Sequence, residues 1–159
     1  MINTKLISDL TLEKIEHLEN RLYGPIADEQ KQFPLPRWYD SIRKIPIKDL
    51  SIEDICKLCR QKFFFDYILP IAIELLTKDP NAGELYKGEL LNAIKQISNE
   101  DWNMIKDYKS ITSKLRELIQ TALENDILSN EIIGDAKDIA LETITRLEKI
   151  PRSAKSSLT

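Results

Sequence analysis

The chain is poor in the residues that build β-sheets and tight turns. Its 159 residues include no valine and only four glycines and seven prolines, whereas leucine and isoleucine are abundant. Strands favour β-branched and aromatic residues, while leucine and long charged side chains favour helices. We therefore expect an all-α protein, a single irregular bundle of about seven or eight helices.

Histidine, cysteine and glycine are also too scarce for most catalytic or cofactor motifs. Four glycines cannot build a phosphate cradle, and neither GxGxxG nor GxxxxGK[ST] occurs. The one histidine, His17, has no serine or cysteine nucleophile motif to accompany it. Cys56 and Cys59 form a CxxC without a preceding strand or a second CxxC, so we interpret them as small core residues. We expect no cofactor, no metal and no catalytic residues.

Long apolar runs are missing as well. The longest, near Ile68, falls far short of the roughly 20 residues that span a bilayer. The first six residues lack the apolar region of a secretory signal, and two cysteines are compatible with a reducing compartment. The sequence thus predicts a cytoplasmic protein that does not contact a membrane.

The length fits one domain, which would bury close to 70% of the surface of its unfolded chain. We expect this domain to cover residues 1–151, followed by a polar tail at residues 152–159. No internal repeat suggests a solenoid.

Residues 66–94 predict a pair of helices around which the rest of the chain is organised. Apolar residues from Ile68 to Leu76 recur at helical spacing, with Pro70 expected in the first turn. This helix should end by about Lys78, because a proline follows Asp79. A second helix is expected from near Glu84, with Gly88 as a weak point in its interior.

Capping residues mark other helices. Thr11 is among the caps expected for the first long helix, whose apolar stripe includes Leu18 and Leu22. Ser51 and Ser98 open later helices in the same way. The last helix is expected from about residue 130 to residue 149.

Five features between residues 44 and 91 stand out as a set: KIPIKDLSIED at residues 44–54, Gln61, LPIAIELL at residues 69–76, Asp79-Pro80 and YKGELL at residues 86–91. Together they resemble the motifs of bacterial contact-dependent growth inhibition (CDI) immunity proteins. The likeness covers roughly residues 12–97, and residues 62–65, KFFF, depart from it where glycines are expected. The resemblance implies a small cytoplasmic helical protein that binds the toxin domain of a sister cell's secreted effector, often a nuclease, and covers its active site.

Charge is unevenly distributed along the chain. The net charge is −3, which disfavours direct binding of nucleic acid through its phosphates. Residues 117–142, however, hold one lysine against seven acidic residues. Four of these acids would share an arc of about 60° on a continuous helix. These four acids form either a solvated face or an anionic surface for a cationic partner. Two acids that precede them, Glu124 and Asp126, carry the same charge. The candidate residues of this surface are therefore Glu124, Asp126, Glu131, Asp135, Asp138 and Glu142.

A second candidate surface follows the proline turn. It combines a tyrosine with carboxylates, a composition common at protein interfaces. Alternatively, the tyrosine packs under the turn. The candidate residues are Asp79, Glu84, Tyr86 and Glu89.

Together these features predict an immunity protein that is not an enzyme and neutralises a cognate CDI toxin, a basic nuclease, by occluding its active site with an acidic and aromatic surface. The alternative is a non-catalytic helical adaptor or subunit that binds another basic protein. An enzyme comes third, because no pocket with converging polar residues is marked in the sequence.

Overall fold

The computed structural model describes residues 4–129 and 135–149, and within them it contains nine α-helices, one 3₁₀ turn and no strand. The all-α prediction is therefore confirmed. The helices are α1 (Thr4–Ser8), α2 (Leu12–Glu19), α3 (Pro34–Ile42), α4 (Ile52–Arg60), α5 (Phe65–Lys78), α6 (Glu89–Lys95), α7 (Asn99–Met104), α8 (Tyr108–Glu124) and α9 (Ala136–Glu148), with the 3₁₀ turn at Ile47–Asp49.

The chain divides into two compact units, an N-terminal unit at Ile2–Ser51 and a C-terminal unit at residues 52–159. The prediction of one domain over residues 1–151 stays a prediction. The expected polar tail, residues 152–159, lies outside the described residues. None of the helices within the described part of the chain has the length and apolar character to cross a membrane.

Three helices and the 3₁₀ turn form the N-terminal unit. Thr11 caps α2, since its hydroxyl accepts the N–H of Lys14 at 3.1 Å, as predicted. The helix ends at Glu19, and its C-cap Asn20 has φ of 56°. Leu18, in the last turn of α2, and Leu22, beyond its end, are both exposed, which corrects their expected place in the apolar stripe. The core of the N-terminal unit is formed by Ile7, Leu12, Ile15, Tyr39, Ile42 and Ile47.

Six helices form the C-terminal unit, in which α6 packs against α4, α5 and α9, and α8 packs against α5, α7 and α9. Its core is made of leucine, isoleucine and small side chains. The residues with relative exposure of 1% or less include Ile55, Leu58, Leu69, Leu76, Leu90, Leu91 and Ile94. The predicted cap at Ser98 is present, because its hydroxyl accepts the N–H of Asp101.

The helix pair at residues 66–94 has the predicted order but different boundaries. α5 ends at Lys78 as expected, but it begins at Phe65, so Pro70 lies inside the helix rather than in its first turn. α6 begins at Glu89 instead of near Glu84, and Gly88 caps it with φ of 89°. Glycine reaches this left-handed conformation at little cost, so Gly88 is not a weak helical position.

The connection before α5 also uses left-handed backbone. Lys62 and Phe64 have φ of 63° and 49°, although neither is a glycine. Phe64 is 7% exposed and precedes the first residue of α5, so burial of its ring accompanies this unusual backbone. The connection thus holds a conformation typical of glycine with side chains in place.

Candidate functional site

The turn between α5 and α6, residues 79–88, is held in one conformation by its own polar groups. Asp79 accepts the N–H of Asn81 at its carboxylate and that of Ala82 at its carbonyl, each at 3.0 Å. The carbonyl of Asn81 then accepts the N–H of Gly88 at 2.9 Å, which closes the turn. We call residues 79–88 the acidic turn.

A buried carboxylate supports the acidic turn from below. Glu89 has no exposed side-chain surface, and one of its oxygens accepts the N–H groups of Glu84 at 2.9 Å and Leu85 at 3.1 Å. The other oxygen lies 3.4 Å from the guanidinium of Arg60. A Cβ at Gly83 would collide with the carbonyl oxygen of Tyr86, so only glycine fits this close approach. Glu89 therefore lies beneath the predicted surface, where it positions the turn.

The other predicted residues of the acidic turn stand at its outside. Asp79 and Glu84 are exposed, and a carboxylate oxygen of Glu84 accepts the N–H of Glu53 in the first turn of α4. Tyr86 is half-buried, and its hydroxyl accepts a hydrogen bond from the amide of Asn92 at 2.8 Å. The tyrosine is thus partly packed and partly accessible, which combines the two interpretations of its role.

The second acidic region continues from the end of α8 to the first turn of α9. Glu124, Asp126 and Asp138 are exposed, and the side-chain carboxylate of Asp126 is 3.9 Å from the ammonium of Lys137. Asp135 is partly exposed. We call residues 124–129 and 135–138 the acidic segment.

Asp135 does not continue a helical stripe. It is the N-cap of α9, and its carboxylate accepts the N–H of Asp138 at 3.1 Å. The last helix therefore begins at Ala136 rather than near residue 130, so Asp135 precedes α9 while Asp138 and Glu142 lie on it. Glu131 lies outside the described residues.

Glu142 is exposed on α9 and has a cationic neighbour from another helix. Its carboxylate is 3.6 Å from the ammonium of Lys95, the last residue of α6. Lys95 is 47 positions away in sequence, so no helical spacing could predict this pair. We therefore place Glu142 at the edge of the acidic region.

Asn81 joins the acidic turn to the acidic segment. Its side-chain amide donates to the carbonyl of Ile127 at 2.9 Å, and its side-chain oxygen accepts the N–H of Ser129 at 2.8 Å. Gly88 approaches α9 so closely that a Cβ there would lie 2.9 Å from the Cβ of Ala136. The acidic turn and the acidic segment, the two candidate surfaces, are thus neighbours. We call them together the acidic surface.

The remaining chemical candidates are structural. Cys56 and Cys59 are buried, and burial raises the pKa of both thiols, that of Cys56 to about 12. A thiol held in its neutral form is a poor nucleophile and a poor metal ligand. Across residues 4–129 and 135–149, no group of three or more histidine, cysteine or acidic side chains could hold a metal ion. His17 is exposed, with Nδ1 at 2.8 Å from the carbonyl of Glu13.

Sequence reasoning missed a buried ionic cluster in the N-terminal unit. Glu16, Tyr39 and Arg43 are each less than 5% exposed. The carboxylate of Glu16 accepts bonds from the Tyr39 hydroxyl at 2.6 Å and from two guanidinium nitrogens of Arg43 at 2.9 Å. Burial raises the pKa of Glu16, but these hydrogen bonds outweigh it and leave the pKa below its usual value. Glu16 and Arg43 are 27 positions apart, and no local pattern marks them.

A family model described as CDI immunity proteins matches residues 21–115. This range is more than half of the chain. It includes the acidic turn, Tyr39 and Arg43 of the buried ionic cluster, and the first part of α8. The acidic segment lies beyond it. No curated protein matches the sequence.

Proposed function

The chain belongs to the family of CDI immunity proteins, which neutralise toxins, and we propose that it neutralises its cognate CDI toxin by covering the toxin's active site with the acidic surface. The observation that carries this proposal is the bridge made by Asn81, which joins two acidic regions into one face. A face of this kind can contact a single partner with both regions at once.

We propose that the toxin is a nuclease. A nuclease needs a cationic cleft to hold phosphates, and an anionic inhibitor complements that cleft in charge. Complementary charge speeds the encounter and rejects wrong partners, whereas net affinity depends on the groups buried at the centre of the interface. The exposed acids Asp79, Glu124, Asp126 and Asp138 would supply the steering charge, and Tyr86 an aromatic contact.

In this proposal the protein acts by binding alone, in the cytoplasm of the toxin's target cell. It needs no cofactor, metal, membrane or nucleic acid, and it catalyses no reaction. Glu89 contributes indirectly because it fixes the backbone of Glu84 and Leu85. Asp135 contributes as the cap that sets the direction of α9.

The test is charge reversal of three exposed acids that do not cap a helix, Glu124→Lys, Asp126→Lys and Asp138→Lys together. We expect association with the purified toxin domain to slow by about 10-fold or more at low salt, with a smaller difference at high salt. Surface-plasmon resonance at several salt concentrations measures the rate constants, and circular dichroism checks that helicity is unchanged.

The matched control reverses three exposed acids of the N-terminal unit, Asp28→Lys, Glu29→Lys and Asp49→Lys, and changes the net charge equally. Equal slowing in both variants would mean that only net charge matters and would reject the acidic surface. Co-expression tests the function itself: the wild-type chain should restore growth of cells that produce the toxin domain. Failure to restore growth, with another basic protein bound instead, would favour an adaptor.

A further inference from the structure

A groove lies between α5 and α8, beside the acidic surface. It has a volume of about 450 Å³ and is lined by six apolar residues, Ile73, Leu76, Pro80, Leu118, Ala122 and Ile127. This volume is within the usual range of ligand pockets, about 300–1,000 Å³. Ile127 is 50% exposed, so part of its apolar side chain is open to solvent at the groove.

The groove and the acidic surface share residues. Pro80 belongs to the acidic turn and Ile127 to the acidic segment, and Asn81 holds their backbones together through its bond to the carbonyl of Ile127. Asp79 immediately precedes Pro80 in the chain and Asp126 immediately precedes Ile127, and both acids belong to the acidic surface. The groove and the acids proposed to meet the toxin are thus connected through Pro80 and Ile127, which belong to both.

We propose that this groove receives an apolar side chain of the toxin domain that stands next to a lysine or arginine. This inference rests on the proposed function and names the centre of the same interface. Exposed acids steer a partner but pair weakly in water, so a tight complex needs an apolar anchor that is removed from solvent. The groove is a concave apolar feature that shares Pro80 and Ile127 with the acidic surface, and the acids of that surface select a cationic neighbour of the anchor.

The polar residues that line the groove do not decide the sign of the partner's charge. Lys78, Lys114 and Glu117 carry both signs, while Thr77 and Thr121 are neutral. Recognition along most of the groove therefore depends on shape and on release of water from apolar surface. In this proposal, selection by charge is the role of Asp79 and Asp126 on the adjoining acidic surface.

The experiment fills the groove from an exposed position. Thr121→Trp places an indole in the groove without altering a buried residue, and Ile127→Ala removes part of its apolar wall. We expect each variant to weaken binding of the purified toxin domain by about 30-fold, mostly through faster dissociation. Ser113→Trp is the control, because Ser113 is exposed on the same helix but does not line the groove. Thermal unfolding should show similar midpoints for Thr121→Trp and Ser113→Trp.

The outcomes separate this inference from the proposed function. If the wild-type chain binds the toxin domain and both groove variants bind equally well, the groove proposal is overturned while the acidic surface stands. If the wild-type chain does not bind, the proposed function itself fails. If the wild-type chain is a dimer that Thr121→Trp converts to a monomer, a second copy occupies the groove and the inference is wrong.

Discussion

Two fully buried carboxylates, one in each unit, are used in opposite ways. Glu16 in the N-terminal unit accepts bonds mainly from the side chains of Tyr39 and Arg43, so it fixes a core. Glu89 in the C-terminal unit accepts bonds from the backbone of Glu84 and Leu85, so it shapes a surface turn. A buried charge thus supports either the interior or the exterior of a protein, depending on which groups donate to it.

The distribution of charge follows the same division. Residues 2–51 hold eight lysines and arginines and eight acidic residues, whereas the net charge of −3 resides in residues 52–159. In the N-terminal unit a carboxylate and a guanidinium are neutralised inside the core. In the C-terminal unit exposed acids include Asp79, Glu84, Glu124, Asp126 and Asp138. The comparison between Glu16 and Glu89 leads to three predictions, of which the first has the largest expected effect.

Arg43→Ala should destabilise the protein most. The substitution leaves the carboxylate of Glu16 buried without its cationic partner, which costs about 3–5 kcal/mol in comparable buried pairs. Urea unfolding followed by the fluorescence of Trp38, in a Trp102→Phe background, measures the free energy of unfolding. Lys48→Ala is the control, because its pair with Asp9 is exposed. A loss no greater than that of the control would show that Glu16 does not depend on Arg43.

Glu89→Gln should have a smaller effect on stability and a local effect on the acidic turn. The amide keeps one oxygen that can accept both N–H groups, but it loses the negative charge that strengthens these bonds and turns an NH2 group toward Arg60, so the turn is held less firmly at a cost of about 1–3 kcal/mol. Hydrogen exchange should become faster at the N–H groups of Glu84 and Leu85. Glu117→Gln, an exposed substitution, is the control. Unchanged exchange at both amides would mean that Glu89 does not hold the turn.

The smallest effect is expected from pH. Because the pKa of Glu16 is lowered in the folded protein, its contribution to stability is fully present above its unfolded pKa, about 4.3. That contribution is lost as the pH falls through the lower folded pKa. Wild-type stability should therefore fall more steeply in this acid range than that of Glu16→Gln, as measured by urea unfolding at a series of pH values. Parallel curves for the two proteins would contradict the prediction.

Local signals predicted helix ends where the capping group lies nearby in sequence. Thr11 and Ser98 cap their helices as expected, and Lys78 ends α5 because a proline follows at position 80. Local signals failed where a distant contact sets the boundary. Gly88 looks like a helical glycine but approaches Ala136, 48 positions away, and that close contact accompanies the cap of α6.

The acidic surface was predicted in parts rather than as a whole. Composition identified Asp79 and Glu84 in one region and Glu124, Asp126 and Asp138 in another. The residue that joins the regions, Asn81, looked only like a turn former, because its partners lie 46 and 48 positions further along the chain. The sequence places Glu89 on the surface because it follows the proline turn beside a tyrosine and other acids, whereas its burial depends on backbone donors that sequence does not reveal.

The hydrogen bonds made by Asn81 and Glu89 also bear on how the choice of partner could be changed. The amide of Asn81 bonds main-chain atoms of Ile127 and Ser129, and Glu89 bonds the main chain of Glu84 and Leu85 in addition to its ion pair with Arg60. The exposed side chains of Leu85 and Ile127 therefore take no part in the bonds that hold the loops. Substitution of these outward side chains could match a different toxin while the backbone of the two loops keeps its conformation.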